Sequence, residues 1–229
     1  MARQSFVTTG VCARHVRRQN SELLISSEPG AREVVPWGVP QIAGRLVELS
    51  GSGATATLTA AFGLVLEAQW RGEPVAWITL PSSTFFPPDV AAGGIDLDSL
   101  AVVRARDSYT AARSAMQLVR SGGFGLVAID LGPKPTPASM GQERVEYTSI
   151  PTPLLTRLVG LAKKHDTAVV VLTEKPTHAS SLGSLVSLRA EARRPPAAPY
   201  RIELSVLKDK RRGPGQVHRE TCRGPAGMC

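Results

Sequence analysis

RLVELSGSGATATLTAAFGLVLEAQWRGEPVAWITL, residues 45–80, is the stretch that decides the fold. RLVEL (45–49) reads as a short strand running into the turn residues Ser50, Gly51, Ser52 and Gly53. Over 54–70, Leu58, Ala61, Phe62, Val65, Leu66 and Gln69 recur near a 3.6-residue period, which predicts a helix. VAWITL (75–80) is almost wholly apolar, as a strand covered on both faces would be. The alternation continues outward with a short helix at 87–93 and a strand at 100–103. Asp107 or Ser108 caps a helix that runs to Arg120 and stops at Gly122-Gly123. LVAID (126–130) is a buried-type strand, and 131–150 is a long loop rich in Pro, Gly and polar residues. The helix predicted over 151–165 gathers Leu154, Leu155, Leu158, Leu161 and Ala162 on one side. Lys163 and Lys164 sit at its end, where the helix dipole favours them. TAVVVLT (167–173) is the clearest strand of all. Beyond it no helix is expected. The stretches 185–192 and 200–207 alternate as strands, separated by Pro195, Pro196 and Pro199. Alternating strands and helices specify an α/β fold: a mostly parallel sheet with helices on both faces, extended by antiparallel C-terminal strands.

The chain has 229 residues, the length of one domain of about 200 residues with tails. At 42% hydrophobic and 20% charged residues it is not a wholly disordered chain. It holds no apolar run of membrane-spanning length, and MARQSFVTTGVCARHVRRQ at its start has no signal-peptide core. Cys12, Cys222 and Cys229 are too scattered for a disulfide framework, which fits a reducing cytoplasm. His15, His165, His178 and His218 lack paired ligand spacing, so no metal site is expected. The net charge is +8, and residues 189–229, with ten basic and four acidic side chains, carry +6 of it. Such a concentration favours an acidic partner, nucleic acid or protein. Lys208, Lys210, Arg211 and Arg212 are its candidate binding residues.

The strand–glycine turn–helix at 45–70 is where an α/β protein cradles phosphate, on the N–H groups of the turn and of the helix start. A working phosphate loop reads GxxxxGK[ST], with the lysine on the β/γ-phosphates and the hydroxyl on Mg²⁺. Here the turn reads Gly51-Ser52-Gly53-Ala54-Thr55-Ala56-Thr57, and G-K-[ST] occurs nowhere in the chain. Gly51, Gly53, Thr55 and Thr57, with Asp130 at the end of LVAID, make a degenerate nucleotide loop. A plain tight turn capped by Ser52 or Thr55 explains the same residues, and Asp130 is equally well a turn or cap residue.

From 37 to 211 the chain resembles the core of the RecA family of DNA-strand-exchange ATPases. Val47-Glu48-Leu49-Ser50-Gly51 resembles that family's approach to its phosphate loop. Gly94-Ile95-Asp96-Leu97-Asp98-Ser99-Leu100 resembles its segment at the same place, and 107–122 its next helix. Residues 126–130 stand where the family has its Walker B strand. Val206-Leu207-Lys208-Asp209-Lys210 resembles the Lys-x-Lys strand that reaches a neighbouring subunit's ATP. The departures are a missing phosphate-loop lysine and a shortened loop. Thr79-Leu80-Pro81-Ser82 stands where the family has its water-activating acid, and the DNA-facing loop after the fifth strand is cut down to 174–183.

A short, catalytically stripped relative of this kind resembles the ImuA family, filed under SulA by older naming. Trp37-Gly38-Val39-Pro40-Gln41, Trp77-Ile78 and Phe85-Phe86-Pro87-Pro88 are similar to it. The resemblance implies a RecA-like three-layer core at 37–210, between a polar segment at 1–36 and a flexible basic tail at 211–229. It implies a damage-induced accessory factor of mutagenic translesion synthesis, with no catalytic residues and no cofactor. The implied partners are an ImuB-like polymerase-related protein, RecA, and an error-prone replicative-type polymerase. Weak DNA contact and a cytoplasmic, nucleoid-associated location are also expected. A regulator of RecA filaments or of cell division is the alternative, and a weak ATPase the third.

Overall fold

In chain order the elements are α1 (Val39–Ile42), β1 (Leu46–Gly51), α2 (Ala54–Trp70), β2 (Val75–Thr79), α3 (Pro87–Ala92), β3 (Leu100–Arg104) and α4 (Ser108–Ser121). There follow β4 (Leu126–Asp130), α5 (Thr152–His165), β5 (Ala168–Glu174), β6 (Leu188–Arg193), β7 (Arg201–Asp209) and β8 (Val217–Thr221). The computed structural model describes residues 37–51, 54–83, 85–132, 149–196 and 201–222, which belong to the unit Val34–Cys229. The expected N-terminal segment 1–36, Gly53 of the glycine turn and most of the 131–150 loop lie outside the described residues. Among the described residues no helix is long and apolar enough to cross a membrane.

The strands form one sheet in the order β3-β2-β4-β5-β1-β6-β7-β8. β1 to β6 pair in parallel, and β7 and β8 are each antiparallel to the strand before. The crossover from β1 to β2 travels toward one edge, and those from β3 to β4 and from β4 to β5 travel back. Right-handed crossovers of opposite direction must use opposite faces. Accordingly Ala60, Leu64, Val65 and Ala68 of α2 pack on Val47, Leu49, Trp77 and Leu172. On the other face Ala112, Ala115 and Val119 of α4 and Leu155 and Leu158 of α5 pack on Ile78, Ile129 and Val171. Both faces of β1, β2, β4 and β5 are thereby covered, which is why β2, β4 and β5 read as nearly continuous apolar runs. Phe62 stacks on Trp77 at 4.5 Å between ring centroids.

The helix ends follow their sequence signals. The Asp107 carboxylate accepts the Thr110 N–H at 2.7 Å, and Gly122 closes α4 at φ +71°, a conformation that suits glycine.

The structure corrects the sequence at the C-terminal edge. Residues 217–221 of the expected flexible tail form β8, paired along β7. VHRET offers no apolar alternation to read, because this edge strand buries only His218. The first C-terminal strand, β6, is parallel, because the chain passes over β1 to reach it. Antiparallel pairing begins with β7.

His218 is 8% exposed and lies against Trp37 at 6.2 Å between ring centroids. Its Nε2 has no hydrogen-bond partner among the described residues, and burial pushes its pKa below 6.5. Below that pH the unfolded chain takes up a proton that the folded chain resists. Stability therefore falls with acidification, at up to about 1.4 kcal/mol per pH unit until the folded-state pKa is reached. Urea unfolding from pH 7 to 5 should show this slope in the wild type and a flatter one in His218→Gln. Equal slopes would assign the titration to another group.

Candidate functional site

The candidate nucleotide end is the C-terminal edge of the parallel strands. Gly51 ends β1 and Asp130 ends β4, with β5 between them, in the registers Gly51↔Glu174 and Asp130↔Leu172. The two strand ends therefore lie two strand spacings apart across the sheet and two residues apart along it, about 12 Å in all. Thr57, in the first turns of α2, is buried, and its hydroxyl has no partner among the described residues. Thr55 lies at the start of the same helix.

Asp130 is 4% exposed. Its Oδ1 accepts the Gly132 N–H at 3.0 Å, while Oδ2 has no partner among the described residues. Burial raises its pKa above the ordinary carboxylate value, against the opposing hydrogen bonds from Gly132 and Ser83. In register beside it on β2 is Thr79, whose hydroxyl contacts that of Ser83. The surroundings of Asp130 are thus hydroxyls, with no second carboxylate in the Thr79–Ser83 turn to activate a water.

The charges nearest the end of β1 are engaged with one another. Glu48, fully buried on β1, is ion-paired with Lys175, whose side chain is 3% exposed. Glu48 also accepts Thr173 Oγ1 at 3.1 Å and the Leu182 N–H at 2.9 Å. Lys175 donates to Ser180 O at 2.7 Å; burial lowers its pKa, and Glu48 opposes that. Arg189 of β6 donates through Nε to Ser50 Oγ at 3.2 Å and through its terminal nitrogens to the carbonyls of Ala179 and Pro176. The loop after β5 is therefore stitched down over the sheet by buried cations that cap its carbonyls. Sequence reading missed this cluster. The one available signal was a charged residue, Glu48, inside an otherwise buried strand.

The basic residues divide between two settings. The register shift between Arg189 and Ala190 leaves Leu207 as the extra residue of β7. Such a bulge re-aims the following side chain. Lys208 falls on the side of Glu48 and Arg189 and donates to Gly183 O at 3.4 Å and Ser184 O at 3.5 Å. Burial and the nearby Lys210 lower its pKa. Lys208 thus helps pin the same loop, whereas Lys210, Arg211 and Arg212 are exposed. These three follow the end of β7, where Asp209 pairs with Leu188 at the start of β6. β6 runs parallel to β1, so they lie at the opposite end of the sheet from Gly51 and Asp130. Asp209, just before them, is taken by Arg45 at 2.6 Å, both side chains being buried. Among the described residues no group of three His, Cys, Asp or Glu side chains is placed to hold a metal ion.

No protein-family profile matches the chain. Over 93 residues, 41% of this chain, it is 34% identical to Protein RecA of Fusobacterium nucleatum and 33% identical to Protein RecA of Clostridium acetobutylicum. Those matches cover 24% and 26% of the two proteins, so the chain spans about a quarter of the curated relatives it matches. The fold is similar to the crystal structure of the RadB recombinase, with a TM-score of 0.59 and 16% identity over 79% of this chain and 88% of that one. The fold is RecA-like: a three-layer α/β core with a mostly parallel eight-stranded sheet and antiparallel C-terminal strands.

Proposed function

We propose that this chain is a non-hydrolysing, RecA-like accessory protein of DNA-damage tolerance that acts by binding other proteins. The supporting observation is the chemistry at the nucleotide end. Phosphoryl transfer relies on positioned cations and charge stabilisation. Here the phosphate-loop lysine and its hydroxyl partner are missing from the sequence. The buried cations beside the end of β1 are engaged, Lys175 with Glu48 and Arg189 with Ser50 and the carbonyls of Ala179 and Pro176. Burial raises the Asp130 pKa, and one of its oxygens is already taken by the Gly132 N–H. These residues do not fit a bound Mg-nucleotide. Calorimetry with Mg-ATP should show no binding at micromolar concentrations and no turnover. Micromolar affinity, or turnover abolished by Asp130→Asn, would overturn the reading.

Within that reading, mutagenic translesion synthesis is the process, in keeping with the ImuA-like features of the sequence. An ImuB-like polymerase-related protein, RecA and an error-prone polymerase are the partners. A second reading, a regulator that caps RecA filaments or restrains cell division, draws support from Lys210, Arg211 and Arg212. These cations are exposed at the end of the sheet away from the glycine turn. A subunit with that half of an interface and no phosphate loop would dock on one end of a filament and leave nothing for the next subunit. Nucleotide-independent RecA binding, unchanged by Lys208→Ala/Lys210→Ala, would remove the capping reading.

A further inference from the structure

The two helices that cover one face of the sheet carry charge of a single sign. α4 and α5 together hold Arg113, Arg120, Arg157, Lys163 and Lys164, and neither contains an Asp or Glu. α2, on the other face, holds Glu67 and no basic residue. On α4 the inward side is Ala111, Ala112, Ala115, Met116 and Val119, all buried. Outward, the residues at 110, 113, 117 and 120 follow one another at intervals of three, four and three, and Arg106 stands just before the Asp107 cap, outside the helix. That is the heptad spacing of a helix–helix seam. Arg113 and Arg120 stand one heptad apart on the helix, with Gln117 between them and Thr110 before them. Arg106, Tyr109, Thr110, Arg113, Ser114 and Gln117 line a groove of about 420 Å³ along this side.

We infer that the outer face of α4 docks an acidic amphipathic helix of a protein partner, with carboxylates at seven-residue spacing. At 1.5 Å rise per residue Arg113 and Arg120 lie about 10.5 Å apart along the helix, the separation of two carboxylates seven residues apart on a helix laid alongside. Guanidinium groups pair carboxylates in a bidentate fork, which sets register as well as attraction. The hydroxyls of Thr110 and Ser114 and the Gln117 amide meet polar side chains between those pairs. Asp107, the acid beside the stripe, is engaged at the N-terminus of α4 with the Thr110 N–H and, at 3.2 Å, with Arg106 Nε. Nucleic acid fits this face less well. Strand binding by stacking uses successive aromatic rings. The stripe offers only Tyr109, 49% exposed, and Arg113 already sits over its ring at 5.9 Å. The inference rests on the charge and periodicity of α4, not on the nucleotide end of the sheet.

The test uses the full chain and three labelled probes in fluorescence anisotropy. One is a helical peptide with Glu at every seventh position, the second is the same composition with the spacing scrambled, and the third is a single-stranded oligonucleotide. The heptad peptide should bind at least fivefold more tightly than the scrambled one. Arg106→Glu/Arg113→Glu/Arg120→Glu should weaken it at least tenfold, with the far-ultraviolet circular dichroism unchanged because all three side chains are exposed. A peptide bearing Lys at the same positions should bind this variant better than it binds the wild type. Equal affinity for the two acidic peptides would overturn the inference. So would displacement of the heptad peptide by a tighter-binding oligonucleotide, which would assign the face to nucleic acid.

Discussion

Lys175→Met should destabilise the protein by about 3–5 kcal/mol, the range for breaking a buried ion pair from one side. The substitution leaves the Glu48 carboxylate buried with only Thr173 Oγ1 and the Leu182 N–H as donors. The Ser180 carbonyl also loses its donor. Chemical denaturation should show the loss as a lower midpoint with an unchanged slope. The double variant Glu48→Leu/Lys175→Met should recover much of the loss, because desolvation of two charges offsets most of their mutual attraction. If Lys175→Met alone costs less than 1 kcal/mol, the pair is not buried as described.

Asp209→Ala should cost a similar amount, about 3–5 kcal/mol, because Arg45 would be left charged and buried. The Arg45 guanidinium joins three segments. It donates to Asp209 Oδ1 at 2.6 Å, to Ser187 O at 2.9 Å and Ser187 Oγ at 3.0 Å, and to Gln41 O at 3.4 Å. Burial disfavours the Asp209 carboxylate, but the hydrogen bonds from Arg45 and from the Arg211 N–H outweigh it and hold its pKa below 3.8. A carboxyl that titrates lower when folded contributes stability that is complete above the unfolded value and lost as the pH falls through the folded one. The wild type should therefore lose this contribution only below about pH 4. Asp209→Ala should start lower and show a flatter acid limb. An equally steep acid limb in the variant would assign acid unfolding to other carboxyls.

The elements most legible in the sequence are those whose faces are both covered. Residues 75–80, 126–130 and 167–173 are apolar because α2 lies on one side and α4 and α5 on the other, and they locate β2, β4 and β5 to within a residue. Asp107 and Gly122 mark the ends of α4 because each answers a local backbone demand. The Glu48–Lys175–Arg189 cluster is not legible in the same way. Its members are far apart in sequence, and an alternating Ser187-Leu188-Arg189-Ala190-Glu191 pattern reads as a strand with one wet face. Arg189 and Glu191 are buried instead. The loop after β5 folds back over that face and offers its carbonyls to Arg189. β8 escaped for a related reason: an edge strand with a single buried side chain carries no periodicity. The resemblance of Lys208 to a residue reaching outward is likewise altered by a bulge that only strand register reveals. At the nucleotide end the missing lysine was plain in the sequence, whereas the burial of Asp130 among hydroxyls depends on the turn 79–83 folding beside β4.

The central claim, that this RecA-like chain acts through protein contacts and not through ATP turnover, is tested most directly by one binding measurement. The purified full chain is presented to an ImuB-like protein and to RecA, each with and without a non-hydrolysable ATP analogue, while phosphate release is followed in parallel. The account predicts a saturable complex with at least one of the two and no phosphate release from the chain alone. Lys210→Glu/Arg211→Glu/Arg212→Glu should weaken that complex about tenfold, as expected when several rim charges are reversed. No complex with either protein, together with phosphate release that Asp130→Asn abolishes, would contradict it.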